Sequence, residues 1–404
     1  MRALLLQTAL GLTLGSSPVG PWKAVLDLAG GALPFVIRIE RKGSGLGGQL
    51  CNGDRCQRFS AVHIERDSLI LEMADYAATL KAWLHGDSLT GFYHNVGSRG
   101  PRTIPFRAQR GRRPVTLASH HLLGRWDATY YQDLGTSPRV FEFQNAAHGF
   151  QGRIISSTSD YGPYGGSVTG DSFAIGLFDG SFVYLLTGKL VGDTLHGIFH
   201  AGLRTQTPWT AVRSRGTPHL ESPTEVSSAD TTEPLRFAFT DLSGRMLRSD
   251  DSQLRGKVVL VDIFGTWCPT CHEAMPALMR LYRRYHSRGL EVVGLAFEAT
   301  GDTAADVRQV RRYRDKFRIP FPLLLAGVND EASIAAALPQ LRDVTAFPTA
   351  VFLGRDGRVR LIHAGFHGLA AGSQHAEMVR EFETEIEKLL NEPPPVPSPP
   401  QDPP

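Results

Sequence analysis

Cysteine is scarce in this chain, with 4 in 404 residues. That excludes a small scaffold held by a disulfide framework. An excess of one charge is missing as well: 43 Lys and Arg against 40 Asp and Glu leave +3, without the concentrated basic stripe of a dedicated nucleic-acid binder. No apolar run reaches the ~20 residues that cross a bilayer as a helix. What is present suits a folded chain. Hydrophobic residues make up 42% and charged residues 21%, which excludes global disorder. At roughly 150 residues per domain the length predicts two or three domains. Glycine is plentiful, at 42 residues, and calls for many turns.

The chain opens with Met1-Arg2, an apolar run from Ala3 to Leu14, and Gly15-Ser16-Ser17-Pro18. One positive charge, a short apolar stretch and a small-residue exit match a secretory signal peptide over residues 1–17. No cysteine follows it to carry a lipid. The expectation is a soluble protein that is periplasmic or otherwise exported.

Residues 20–110 and 124–215 align on one another. Gly20-Pro-Trp22 corresponds to Gly124-Arg-Trp126, an offset of 104. The same offset carries Pro34 onto Pro138, Gly48 onto Gly152, Asp67-Ser68 onto Asp171-Ser172, and Asp75 onto Asp179. After a slip of two residues, Gly86-Asp87, Leu89, Gly91 and His94 match Gly192-Asp193, Leu195, Gly197 and His200. This is an internal duplication, with copies at 18–113 and 114–215. Within each copy the pattern is short and period-two, as in Val36–Glu40, Ser68–Leu71 and Phe182–Leu186, with Gly-Asp and Asn-Gly dipeptides between. It predicts antiparallel β structure: two small barrels or sandwiches, or one larger fused sheet. The Gly-x-Trp opening each copy resembles the first strand of lipocalin-like barrels, where the indole closes one end.

No nucleophile with a base and an orienting group stands out in this half. The equivalent His94 and His200 fit strand positions better than metal ligands, and Asp75 and Asp179 fit turn caps. Cys51 and Cys56 flank an Asn-Gly turn inside a predicted hairpin. So tight a reversal can bring two β-carbons within bonding range, and in an exported protein a structural disulfide is favoured there over a second redox centre. A partner- or client-binding surface is the functional expectation for the duplicated half. Residues 216–234 are rich in Ser, Thr, Pro and Glu and predict an extended, mobile linker. Residues 392–404, with eight prolines between Pro393 and Pro404, predict a disordered tail.

The remaining pair, Cys268 and Cys271, lies in residues 235–391. Val258 to Ile263 is a near-continuous apolar run, the mark of a buried central strand. It leads into Phe264-Gly-Thr-Trp267-Cys268-Pro-Thr-Cys271, followed by an amphipathic helix expected from His272 to about Ser287. At a strand-to-helix junction, backbone N–H groups and the helix dipole stabilise a thiolate on the first cysteine. The second lies one turn on, placed to attack a mixed disulfide. Neither cysteine pair has the partners of a zinc site.

Trp267-Cys268-Pro-Thr-Cys271 resembles the thioredoxin fold, and most of all the exported TlpA/ResA/CcmG-like thiol–disulfide oxidoreductases. Pro276 lies where thioredoxins kink the active-site helix. Asp262 stands where thioredoxin has the buried acid that accepts the resolving cysteine's proton; many TlpA-like proteins have asparagine there. Ala346-Phe347-Pro348-Thr349 resembles the cis-proline loop that faces the two cysteines and pairs with the substrate. Glu298 resembles the acid near the ResA-like site, one position out of register. The interval of 77 residues from Cys271 to Pro348 matches the insertion of that branch.

The fold expected is therefore the duplicated antiparallel β region followed by the α/β thioredoxin-like domain that the resemblance implies. The same resemblance implies catalysis by Cys268, Cys271, Asp262 and Pro348, with Trp267, Phe347 and Thr349 binding substrate. It also implies protein disulfides as clients and an upstream thiol electron donor, a membrane-bound one included. No cofactor, metal or nucleic acid is implied. Two rival readings are a peroxiredoxin-type thiol peroxidase, whose Pro-x-x-x-Thr-x-x-Cys pattern is absent, and a binding module whose β half is the working part.

Overall fold

The computed structural model describes residues 17–97, 100–133, 135–216 and 220–393. The expected leader, apart from Ser17, and the proline-rich tail beyond Pro393 lie outside the described residues. Each copy of the duplication folds as its own antiparallel barrel. In the first, eight strands between Gly20–Leu28 and Gly100–Arg110 form a ring in which the first strand pairs with the last and Gly31–Lys42 with Gly45–Asn52. In the second, eight strands from Gly124–Gln132 to Thr205–Arg213 close in sequence order. Sandwiches and a single fused sheet are thereby excluded. Side chains alternate across each strand, so Trp22, Ala24 and Leu26 point into the first barrel and Trp126, Ala128 and Tyr130 into the second.

The two barrels are closed at one end by the same device. Trp22 donates its indole N–H to the Pro18 carbonyl at 2.8 Å, and the Arg110 guanidinium lies 4.3 Å over the ring. Trp126 donates to Leu122 at 3.1 Å beneath Arg213 at 4.1 Å. Each arginine also donates to backbone carbonyls of the segment before its tryptophan. A cation over an indole face, tied to carbonyls as well, joins the last strand of a barrel to its first.

The barrels share an apolar contact. Phe178 of the second lies 4.8 Å from both Phe35 and Tyr93 of the first, and the Tyr93 hydroxyl donates to Gly180 at 2.8 Å. The hairpin closed by the Cys51–Cys56 disulfide wedges in beside them. Its Asn52 side chain donates to the Phe178 carbonyl at 2.6 Å and accepts from the Phe178 amide at 3.0 Å. Glycine is required at the tip. Gly53 has φ of 52°, and a Cβ on the facing Gly165 would fall 2.4 Å from the Gly53 nitrogen.

The equivalent histidines take different roles. His94 bonds Thr103 at 2.9 Å, whereas His200 is buried against Gly30 of the first barrel, where a Cβ would strike its ring. Among the described residues no group of three or more His, Cys, Asp or Glu is arranged to hold a metal ion. Asp179 caps its own turn, accepting from the Ser181 and Phe182 amides at 2.9 and 2.7 Å. Asp75 does not cap; it pairs with Lys316 of the third domain at 2.6 Å.

The segment whose composition suggests a free tether is partly fastened down. Ser228-Ala229 pairs with Leu341-Arg342, and Pro223 accepts from the Ala364 amide at 2.9 Å. Backbone hydrogen bonds hold it, and composition carries no signal for those.

The third domain is a seven-stranded sheet in the order 246–248, 238–241, 323–328, 290–298, 258–264, 349–353 and 359–364. Strand 258–264 runs parallel to 290–298 and antiparallel to 349–353. Helices α1 (Pro269–Tyr285), α2 (Thr303–Phe317) and α4 (Ser373–Leu390) pack on one face. The short α3 (Glu331–Ala337) lies on the other.

Candidate active site

Strand 258–264 sorts its side chains by parity. Val258, Leu260 and Phe264 face α1, while Val259, Val261 and Ile263 face the opposite layer. Asp262 has the parity of the α1 face, so a carboxyl is carried into an apolar layer. It is 1% exposed, and its Oδ2 has no hydrogen-bond partner among the described residues. Burial pushes its pKa up to about 7.

The helix begins at Pro269 rather than at His272, because Cys268 is the residue that caps it. Proline at the first helical position gives up an N–H that would have no partner anyway. The Cys271 amide donates to the Cys268 sulfur at 3.4 Å, and the Cys268 thiol donates to the Phe347 carbonyl at 3.4 Å. Cys271 lies one turn deeper. Burial pushes its thiol well above the usual range, with the neighbouring Cys268 and Asp262 adding to the shift. The Tyr313 hydroxyl donates to the Cys271 carbonyl at 2.9 Å.

The Phe347–Pro348 bond is cis, and this loop faces the cysteines. Thr349, fully buried, folds its hydroxyl back to the Ala346 carbonyl at 2.8 Å. Trp267 meets the Phe347 ring edge-on at 5.0 Å and donates its indole N–H to the Phe297 carbonyl at 2.9 Å. The structure thus brings Asp262, Trp267, Cys268, Cys271, Phe347, Pro348 and Thr349 to one place. Cys51 and Cys56 stand apart as the bonded pair on the first barrel.

Beneath Trp267 lies a polar cluster. Glu298 accepts from the Thr266 amide at 2.8 Å and from its hydroxyl at 2.6 Å. Burial raises the Glu298 pKa to about 7, although both Thr266 bonds pull the other way. On the far side His272 bonds the Thr266 carbonyl through Nε2 at 2.8 Å, and its Nδ1 lies 3.2 Å from Lys316. Burial first, then the Lys316 ammonium, lowers its pKa to about 4. The imidazole is therefore neutral, donating from Nε2 and accepting from lysine. Of these four residues the sequence reading found only Glu298.

It also missed how far the barrels reach over the site. Cys268 is only 2% exposed. Tyr76, Tyr161 and Tyr184, from both barrels, lie near it. Ser181 donates to the Trp267 carbonyl, and the Ser159 and Thr270 hydroxyls meet at 3.5 Å. Arg55, beside the disulfide, pairs with Glu273 on α1. Gln309 on α2 donates to the Ala74 and Asp75 carbonyls at 2.8 Å each. None of the barrel residues named here marks the site in the sequence; the duplication was the signal that this half had a shape of its own.

The Redoxin family model matches residues 236–368. Thioredoxin-like protein YneN of Bacillus subtilis (strain 168) is 30% identical over 131 residues, which are 32% of this chain and 68% of that protein. The chain belongs to the thioredoxin-like thiol–disulfide oxidoreductases. Another member of the family, thiol-disulfide oxidoreductase ResA of Bacillus thuringiensis subsp. konkukian (strain 97-27), is 28% identical over 127 residues. That match spans 31% of this chain and 65% of the ResA protein's length. Among solved structures, a thiol:disulfide interchange protein of the thioredoxin family from Chlorobium tepidum TLS is similar to 41% of this chain over 99% of its own length, with 22% identity and a TM-score of 0.32. The Redoxin match falls on the third domain.

Proposed function

We propose that the protein is an exported thiol–disulfide oxidoreductase that reduces protein disulfides. The observation that carries this reading is the position of Cys268. It caps α1 with its sulfur against the Cys271 amide and the Phe347 carbonyl, while Cys271 is held behind it. The Cys268 thiolate attacks one sulfur of a client disulfide and forms a mixed disulfide. The other client sulfur leaves as a thiolate and takes a proton from solvent. Cys271 then passes its proton to the ionised Asp262 and attacks the Cys268 sulfur. The second client thiol is released and Cys268–Cys271 becomes the disulfide. The client has gained two electrons, which an external thiol donor must return to the protein.

Asp262 suits the proton step because burial places its pKa near neutral, where it can accept and release a proton in turn. Trp267 and Phe347 form the partly exposed surface on which the client backbone lies, and the buried Pro348 and Thr349 shape the loop beneath it. The barrels stand over this surface and hold the client. Export follows from the leader-like residues 1–17. The test is dithiothreitol-driven reduction of insulin by the full chain: Cys268→Ser must abolish it, and unchanged turnover in that variant would overturn the assignment.

A further inference from the structure

A cavity of about 380 Å³ opens beside the reactive dithiol, with Trp267 as one wall. The other walls come from the barrels, and they come from equivalent places. The hairpin of strands Ser88–Gly97 and Gly100–Arg110 supplies Arg102 and Thr103; its counterpart, Thr194–Ala201 and Thr205–Arg213, supplies Leu203 and Arg204. The duplication therefore presents the same hairpin twice to one cleft.

Its chemistry is uneven. Phe182 and Tyr184 stack at 4.8 Å with planes 19° apart, a flat aromatic floor leading to Trp267. Among the described residues both lining charges are arginines, and no acidic residue lines the cavity. Arg102 is committed: it donates to Asn95 at 2.6 Å and to the Ser181 carbonyl. Arg204 is exposed and has no ion-pair partner among the described residues. A guanidinium held over a pocket without a counter-charge favours a carboxylate.

Size and access narrow the occupant. The volume is near the lower end of the roughly 300–1,000 Å³ of ligand pockets. Cys268 is 2% exposed, so a broad folded surface cannot reach its sulfur past the barrels. A short extended segment fits the cleft, which ends at Trp267, the residue next to Cys268.

We propose that this cleft receives an extended client segment carrying an acidic residue beside the target disulfide, with Arg204 selecting the carboxylate. The proposal rests on the oxidoreductase reading above and adds the class of client. Arg204 contributes by binding; the sulfur chemistry stays with the dithiol.

The experiment uses the full chain recycled by dithiothreitol and two peptides of equal length. Each bears one cysteine in disulfide linkage to 2-mercaptoethanol, flanked by glutamates in one peptide and lysines in the other. The readout is the ratio of kcat/KM for the two peptides within one protein, so a general loss of folding cancels. The wild type is expected to favour the glutamate peptide about tenfold or more. Arg204→Glu should invert that ratio, and Arg204→Lys should keep its direction. Equal ratios in the wild type, a glutamate preference that survives Arg204→Glu, or a preference for oxidised glutathione over the glutamate peptide would each overturn the proposal. Failure of the wild type to reduce even bis(2-hydroxyethyl) disulfide would instead overturn the oxidoreductase reading, and this one with it.

Discussion

The Phe366 amide donates to the Thr158 carbonyl at 2.9 Å, tying the end of a sheet strand in the third domain to the second barrel. One residue earlier, Gly365 has φ of 84° and donates to the Pro348 carbonyl at 2.7 Å. A Cβ on Gly365 would fall 1.6 Å from the Thr158 oxygen. The barrel is therefore seated on backbone next to the cis-proline loop, at a point where only glycine fits. Gly365→Ala is expected to unseat it locally and uncover Cys268. Timed alkylation by iodoacetamide, read by mass spectrometry at Cys268, should accelerate about tenfold or more, as local opening of a protecting contact does. The wild-type rate in this variant would mean that the barrel does not shield the thiol.

Asp262 predicts two pH effects of opposite sign. In catalysis the ionised form accepts the Cys271 proton, so resolution of the mixed disulfide should rise as pH passes through about 7. Asp262→Asn should remove that limb and slow resolution by about 100-fold, the lower range for a lost general base. Stopped-flow release of the second client thiol measures it. A variant with the wild-type pH profile would exclude Asp262 from the proton step.

For stability the sign reverses. The folded-state pKa of Asp262 lies above the ordinary carboxylate value, 3.8, at about 7. Its contribution is therefore fully present below pH 3.8 and is lost as pH rises towards 7, since the unfolded chain ionises first. The loss is of the order of 4 kcal/mol. Asp262→Asn should thus gain on the wild type between pH 4 and pH 8 in denaturant melts of the reduced protein. A pH-independent difference between the two would show that the carboxyl does not titrate with folding.

The Cys51–Cys56 staple closes a short loop, so replacing both residues by alanine should cost about 2 kcal/mol on loop-entropy grounds. The hairpin also carries Asn52 to the second barrel and Arg55 to Glu273 on α1. Arg55–Glu273 is half exposed, and such a pair contributes about 0–1 kcal/mol. The double variant should melt lower yet still form the Cys268–Cys271 disulfide, as thiol counting after oxidation will show. Failure to form it would mean that the staple belongs to the redox machinery.

The third domain was legible because its signals are local. An apolar strand, Cys268-Pro-Thr-Cys271 and Phe347-Pro348-Thr349 are each read within a few residues, and parity along the strand carries Asp262 to the α1 face. The duplication was legible through one constant offset, and the period-two pattern through side-chain alternation. Closure was not, because a sheet becomes a barrel through a pairing distant in sequence, here between the first strand, Gly20–Leu28, and the last, Gly100–Arg110. The cover over the dithiol was hidden for the same reason. Ser181, Tyr161 and Tyr184 reach Trp267 and Cys268 across about a hundred residues of chain, and no local pattern records such contacts. The helix start was misplaced at His272 because apolar periodicity marks the buried face, whereas the cap at Cys268 fixes the first turn.

The central claim is that Cys268 is the attacking sulfur and Cys271 the one that resolves. Incubating the Cys271→Ala chain with a disulfide-bridged peptide and mapping adducts by mass spectrometry tests it directly. A stable mixed disulfide between the peptide and Cys268 is expected, and none when Cys268→Ser is added. A chain that forms no adduct, or carries it at Cys51 or Cys56, would contradict the claim.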